Sequence, residues 1–335
     1  MKEKMNAPEY IRGGKQKLFY AESETTSWPC PLCQSPHSGL LDQERGSLQI
    51  RRCLHCQLIR VSPRIKNPEE IYWGDPEKYF QESRLIFSGE QKHHRETTYL
   101  HDINLIQKFK PRGKLLDVGC NMGFFLKKTM ECGYEGYGID PSPSLTEIGK
   151  KNLNLNIETA FLEKTTHEKN FFDVITFTDV FEHLVNPQEI LSKAKSLLKK
   201  DGILLIKVPN AKFNLFKWFV IRKILKNKTY DIFDSYEHVV HYTDKTLTSM
   251  LRLCGFTPLL TYVAPPVQLP NWHKFVGHYY QYATPWYMDF RKKTARKLCY
   301  RMAWLEKKIL GRCGYLAPNI GIIARATEGD LKESF

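Results

Sequence analysis

Leu115-Leu-Asp117-Val-Gly119-Cys120-Asn121-Met-Gly123-Phe-Phe125 is the stretch whose reading decides the fold. An apolar run ends in a glycine with no spacer, so a buried strand turns sharply into the next segment of chain. Gly123 then stands where the backbone must approach a ligand at the start of the next helix. The spacing is not G-x-G-x-x-G, which places a third glycine beneath a pyrophosphate, so a nicotinamide or flavin cofactor is disfavoured. The second anchor is Gly138-Ile-Asp140-Pro141, whose acid lies 23 residues beyond Asp117. A carboxylate at that distance ends the following strand and is placed to accept hydrogen bonds from two ribose hydroxyls. Its purely structural alternative is to cap the helix that begins near Ser142.

Outward from these anchors, short apolar runs alternate with amphipathic stretches, as in a βαβ protein. Strands are expected at 114–118, 137–140, 155–157, 173–177, 203–208, 258–263 and 319–324, with helices at about 124–131, 144–152, 187–198 and 245–254. Seven strands with interleaved helices imply a doubly wound α/β sheet whose ligand sits beyond the carboxyl ends of the strands.

In front of this pattern, Cys30-Pro-Leu-Cys33 and Cys53-Leu-His-Cys56 are separated by nineteen residues. Two such knuckles suit one tetrahedral zinc, and a closed shell of four thiolates points to a structural ion, since no position is left open for chemistry. A redox role for either C-x-x-C would need a neighbouring βαβ pattern, which is missing. His37 and His55 are near enough to substitute as ligands but read as surface residues. The expected organisation is a zinc-ribbon-like module at 27–62, a connector and helical cap at 63–110, and the main domain at 111–327. The cap includes Tyr72, Trp73, Tyr79, Phe80 and a helix within 90–109; the main domain carries a helical insertion at about 268–315 before its last strand.

The bulk numbers agree with this plan. A chain of 335 residues with 42% hydrophobic content has room for a large core and a small appendage. Nine cysteines, four of them in C-x-x-C pairs, suit metal binding in a reducing compartment better than a disulfide framework. The charged opening Met-Lys-Glu-Lys lacks an apolar stretch behind it, and no apolar run reaches the roughly 18 residues of a membrane span. The expected location is the cytoplasm, with a peripheral position at the inner membrane surface as the alternative. A net charge of +14 asks for an anionic partner without choosing among nucleic acid, acidic membrane and charged substrate.

From about Tyr79 to Arg325 the chain resembles the class I S-adenosylmethionine-dependent methyltransferases. The matching residues are Asp117-x-Gly119-x-x-x-Gly123, Gly138-Ile-Asp140, Phe172-Asp173-Val-Ile with Asp179-Val-Phe-Glu-His-Leu184, and Val208-Pro-Asn210. The resemblance implies a Rossmann-like sheet and an S-adenosyl-L-methionine cofactor bound by Asp117, Gly119, Cys120, Asn121, Gly123, Asp140, Pro141, Phe161, Leu162, Thr178 and Asp179. Asn121 stands where many members have glycine, and asparagine tolerates left-handed backbone angles. Glu158-Thr-Ala-Phe-Leu162, where the family contacts adenine, lacks the usual acid.

For the acceptor, Asp179, Glu182 and His183 would share a face on a helical turn, with His238 and His241 following in Tyr236-Glu-His-Val-Val-His-Tyr242. The D-x-x-E-H spacing resembles the E-x-x-E-H metal motif of ubiquinone-biosynthesis O-methyltransferases and of small-RNA 3′-terminal 2′-O-methyltransferases, with His238 at the place of a further histidine. The readings are a divalent cation at Asp179, Glu182, His183 and His238, a general-base role for His183 with Glu182, or packing alone. Either chemical reading suits an oxygen acceptor. Residues 212–228 hold six basic residues, no acids and nine apolar ones, the makeup of a basic amphipathic helix. Residues 270–312 repeat the theme, with ten Lys/Arg against two acids and Trp272, Tyr279, Tyr280, Tyr282, Trp286 and Tyr287. Contact with an anionic membrane and a small-molecule, glycan or lipid-linked acceptor is the preferred expectation, with RNA behind it. The different-class alternative is a non-catalytic, zinc-dependent RNA- or protein-binding module on the same fold.

Overall fold

The computed structural model describes residues 19–67, 83–84, 86–89, 93, 95–227, 231–265 and 293–327. The aromatic residues at 72, 73, 79 and 80, those at 272–287, and most of the expected insertion lie outside these residues. The amino-terminal unit comprises β1 (Thr25–Thr26), β2 (Ser38–Glu44), β3 (Leu48–Cys53), β4 (Ile59–Val61) and β5 (Arg64–Ile65). The main unit follows with α1 (Glu96–Gln107), β6 (Gly113–Val118), α2 (Phe124–Glu131), β7 (Tyr134–Asp140), α3 (Pro143–Leu153), β8 (Ile157–Thr159), β9 (Phe172–Thr178), α4 (Pro187–Leu197) and β10 (Leu198–Pro209). It ends with α5 (Ala211–Trp218), β11 (Val240–His241), α6 (Asp244–Leu253), β12 (Phe256–Val263), α7 (Lys293–Leu310) and β13 (Asn319–Ala326).

Seven strands form one sheet in the order β12-β13-β10-β9-β6-β7-β8. All neighbours from β10 to β8 pair in parallel, while β13 runs antiparallel between β10 and β12. The doubly wound expectation therefore holds, with one reversed strand. Because both faces are covered, the strands read as apolar runs that split by alternation. Leu116, Val118, Phe177, Ile206 and Ile322 pack on one face, and Leu115, Val174, Leu205 and Ile323 on the other. Val118 pairs with both Ile139 and Phe177, so β6, β7 and β9 end level and expose Gly119, Asp140 and Thr178 along one rim.

Two boundaries differ from expectation for local reasons. Asn154 adopts a left-handed conformation (φ 51°) that stops α3, and pairing of the third strand starts only at Ile157, opposite Gly138. The stretch 212–228 is not one amphipathic helix: α5 passes into a π-helical turn at Phe219–Ile224. Three of its cations turn inward, Lys212 to Asp244 at 2.6 Å, Lys217 to the Ile232 carbonyl at 3.4 Å and Arg222 to Asp42 at 2.8 Å. Phe216, Phe219, Ile224 and Leu225 remain exposed.

The amino-terminal unit has its own antiparallel sheet, ordered β11-β4-β3-β2, whose outer strand comes from the main unit. Cys30, Leu32, Cys53 and Leu58 belong to the same buried cluster as Leu116, Phe172 and Ile190, so the two units share a core.

Candidate active site

Each turn in the rim is set by a backbone requirement. Gly119 takes φ 71°, its N–H donates to the Ile139 carbonyl at 2.7 Å, and a Cβ there would lie 2.4 Å from Val180. Gly123 opens α2 in the left-handed region, where a Cβ would collide with Leu155 at 2.2 Å. Asn121 is also left-handed (φ 55°), as its side chain allows. Asp140 links the two turns: one carboxylate oxygen accepts from the Asn121 N–H at 2.8 Å, the other from the Ser142 N–H at 2.9 Å. Burial pushes its carboxyl up, against those two bonds, and each oxygen keeps a second lone pair for a ligand hydroxyl. The capping and ribose-binding readings of Asp140 are therefore compatible.

Other cofactor candidates separate by orientation. Asp117 is buried behind the loop, accepts from Thr176 Oγ1 at 2.8 Å and is pushed up to about 7 by burial. Cys120 and Leu162 point into the core, the former beside Leu115 and Leu126 and the latter among Val118 and Ile139, so a ligand meets only their backbone. Pro141, Phe161 and Thr178 lie at strand ends along the rim.

The acceptor-side residues are rearranged relative to expectation. Phe181–His183 forms a single 3₁₀ turn, which brings ligand atoms of Glu182, His183 and His238 within 4.8 Å of one another. Asp179 is not in this group. It sits at φ 58°, donates its N–H to the Lys207 carbonyl and gives its carboxylate to the Arg95 guanidinium. Burial works against its ionisation, but Arg95 and Lys207 outweigh that and hold its carboxyl below the usual range. Glu182 has the opposite fate, since burial and the adjacent Asp179 push it well above the carboxylate range. Two neighbouring carboxyls with separated protonation states are a pattern of functional sites. Glu182 Oε2 finds no hydrogen-bond partner among the described residues.

His183 Nδ1 lies 2.9 Å from the Glu237 carbonyl, which can only accept, so Nδ1 is the donor in that bond. Its ring meets that of His238 edge-on at 4.8 Å, and both Nε2 atoms lie 3.9 Å from Glu182 Oε1. His241, buried against Phe233, is held neutral, its pKa lowered to about 3 by burial.

Sequence reasoning missed a buried polar network beneath this group. Asp102 of α1 accepts from Lys207 at 2.9 Å and from the Tyr262 hydroxyl at 2.7 Å, with all three side chains buried. The legible signal was Lys207 itself, one cation inside Ile203-Leu-Leu-Ile-Lys-Val208, which must find a partner or destabilise the strand. Arg95, at the head of α1, had no such signal.

In the amino-terminal unit Cys30 Sγ and Cys56 Sγ lie 3.4 Å apart, Cys33 Sγ and Cys53 Sγ 3.5 Å, and all four sulfurs fall within 4.8 Å of one another. A tetrahedron with Zn–S bonds of about 2.3 Å has edges of about 3.8 Å, so the quartet fits that ion. Both knuckles close identically, Gln34 N–H to the Cys30 carbonyl at 2.8 Å and Gln57 N–H to the Cys53 carbonyl at 3.1 Å, each glutamine at positive φ. His37 and His55 are exposed and stand outside the quartet.

A family model described as "Methyltransferase domain" matches residues 92–261, just over half the chain. The chain belongs to this methyltransferase family. S-adenosylmethionine is accordingly the methyl donor, and the rim built by Gly119, Asn121, Gly123 and Asp140 fits it. The methyltransferase is 27% identical over 175 residues to a ubiquinone biosynthesis O-methyltransferase of Coxiella burnetii, covering 47% of this chain and 74% of the relative. It is 30% identical over 118 residues to the enzyme of the same name from Haemophilus ducreyi, covering 32% of this chain and only 50% of the relative. Among solved structures, a putative S-adenosylmethionine-dependent methyltransferase from Listeria monocytogenes aligns with 69% of this chain and 98% of its own, at 16% identity and a TM-score of 0.45. No helix among the described residues is long and apolar enough to cross a membrane.

Proposed function

We propose that this methyltransferase acts on an oxygen acceptor in a small-molecule, glycan or lipid-linked substrate, with His183 as the base. The observation that carries the reading is the Nδ1 contact to the Glu237 carbonyl at 2.9 Å, which fixes the tautomer and leaves the basic nitrogen on the Glu182 side. S-adenosylmethionine, when bound, supplies an electrophilic methyl group on a sulfonium. Asp140 and the backbone of Gly119 to Gly123 hold it. His183 Nε2 would take the proton of an acceptor hydroxyl as that oxygen receives the methyl group, the donor's thioether being the leaving group. Asp179, kept ionised by Arg95, would offer a carboxylate to the cofactor beside the Gly119 turn.

A second reading is favoured by one observation, the buried Glu182 oxygen without a partner beside two imidazoles. This trio offers three ligand atoms to a divalent cation, which would bind a diol or phenolate and acidify it. The Cys quartet is assigned to a structural zinc. Phe216, Phe219, Ile224 and Leu225, with the exposed Lys223 and Lys226 beside them, support a peripheral contact with anionic lipid.

The test is a methylation screen of catechols, sugar diols, lipid-linked saccharides and RNA 3′ ends, with and without Mg²⁺ or Mn²⁺, scored by mass spectrometry. Metal-independent methyl ethers on a non-nucleic-acid acceptor are expected. Modification of RNA 3′ ends alone, and only with metal, would overturn the substrate class and establish the cation reading. No binding of S-adenosylhomocysteine would sink both in favour of a non-catalytic binding module.

A further inference from the structure

The last turn before His238 belongs physically to the zinc unit. Val240 and His241 pair with Arg60 and Ile59 as the edge of that unit's sheet, and the Val61 N–H donates to the Val239 carbonyl at 3.0 Å. Upstream, Glu44 at the end of β2 is buried and accepts three backbone N–H bonds, from Ile232 at 2.7 Å, Phe233 at 2.9 Å and Ser235 at 3.1 Å. Arg45 pairs with Asp231 at 2.5 Å and lies 4.0 Å over the Tyr236 ring. The turn thus clamped closes on itself, with the Glu237 and His238 N–H groups both donating to the Asp234 carbonyl at 3.0 Å. It delivers two things to the acceptor side, the Glu237 carbonyl that orients His183 and the His238 ring.

We propose that the zinc unit is a positioning element of the methyl-transfer site, holding residues 231–241 through Glu44, Arg45 and β4 so that Glu237 and His238 face His183. An appended nucleic-acid-binding ribbon has no need of such a connection. Here the unit gives its sheet edge, three charged side chains including Asp42, and part of its core to the main unit. Among the described residues the clamp's hydrogen bonds and ion pairs reach 231–241 and not the turns at 119–123 and 140–142, although the two units share an apolar cluster with Leu116 and Val118. Zinc loading should therefore act on one half of the site and not on the other. The inference rests on His183 and His238 serving the acceptor, yet its physical content does not need the acceptor to be known.

The experiment is amide hydrogen exchange followed by mass spectrometry on the full chain, with S-adenosylhomocysteine affinity measured calorimetrically and zinc measured in parallel. Glu44→Gln replaces one acceptor oxygen by an amide that faces N–H donors. It should keep one equivalent of zinc and bind S-adenosylhomocysteine within about twofold of wild type, while exchange across 231–241 speeds at least about tenfold. Stripping zinc with a chelator should give the same pattern, with 113–140 staying protected. Should Glu44→Gln fail to fold, Arg45→Met, which removes the pair with Asp231 and the cation over Tyr236, should show it in weaker form. Unchanged exchange at 231–241 in these variants and in the stripped protein overturns the proposal. So does equal loosening of 113–140 or a parallel loss of S-adenosylhomocysteine binding, since that is general support and not positioning. Full methyl transfer by His183→Ala is a separate outcome, which would remove the base reading while leaving these exchange outcomes standing.

Discussion

The two halves of the site are made in different ways. The cofactor half comes from one contiguous run, Asp117 to Asp140, in which glycine dihedrals and a single carboxylate do most of the shaping. The acceptor half comes from Phe181–His183, from Glu237 and His238 half a domain later, and from a zinc unit near the amino terminus that clamps them. A local half is robust because its geometry needs only its own backbone. A composite half can change specificity by altering any of its suppliers, at the cost of depending on all of them.

The sharpest break of this contrast is His183→Ala, which should lower methyl transfer about 10²–10⁴-fold while S-adenosylhomocysteine affinity stays put. Equal loss of both would mean the halves are not separable. Lys207 lies under both, so Lys207→Met should destabilise the whole protein by about 3–5 kcal/mol, because it leaves Asp102 buried without its cation. Denaturant titration reads this, and a change under about 1 kcal/mol would show that Tyr262 and His101 satisfy Asp102 without the cation. Asp140→Ala should weaken S-adenosylhomocysteine binding by about 1.5–3 kcal/mol, roughly 10- to 100-fold, and spare the protection of 231–241.

The smallest effect concerns acid. His241 is buried neutral with its pKa lowered to about 3, whereas an unfolded histidine titrates near 6.5. The stability this group contributes is complete above about pH 6.5 and is lost as pH falls toward 3, because the unfolded chain takes up a proton that the native one refuses. At pH 5 the loss is about 2 kcal/mol, and His241→Gln should remove that share of the slope between pH 7.5 and 5 in urea melts. An unaltered slope would show that the ring is protonated in the folded state.

The same contrast explains what was legible in the residues. Strand and helix periods, the glycine turns and the two C-x-x-C knuckles are short-range patterns, and most of their elements form within a residue or two of where they were expected, although β7 starts three residues and β10 five residues earlier. The reversed direction of β13 left no local trace, since an apolar strand reads the same in either direction. Asp179 was misplaced because D-x-x-E-H was laid on a full helical turn, whereas the chain forms one tight 3₁₀ turn and Arg95 draws that carboxylate aside. Basic residues at 212, 217 and 222 looked like a solvated face because their partners, Asp244, the Ile232 carbonyl and Asp42, are remote in sequence. Tertiary partners of charges are the part that composition cannot supply.

The reversal of β13 has its own consequence. Because β12 runs with the parallel strands and β13 against them, the chain departs after Val263 and re-enters at Asn319 from the same side of the sheet, where the Ala264 N–H meets the Asn319 carbonyl at 3.1 Å. The returning limb is anchored as well, since Ala303, Cys313 and Ala317 are buried in the main core and Asn210 Nδ2 donates to the Gly314 and Ala317 carbonyls. Closing a longer or shorter excursion at a fixed neck costs little, on the order of 0.6 kcal/mol per doubling of length. Changes of length are therefore cheap in loop closure, whereas changes within 303–317 also disturb the core beneath the sheet's edge.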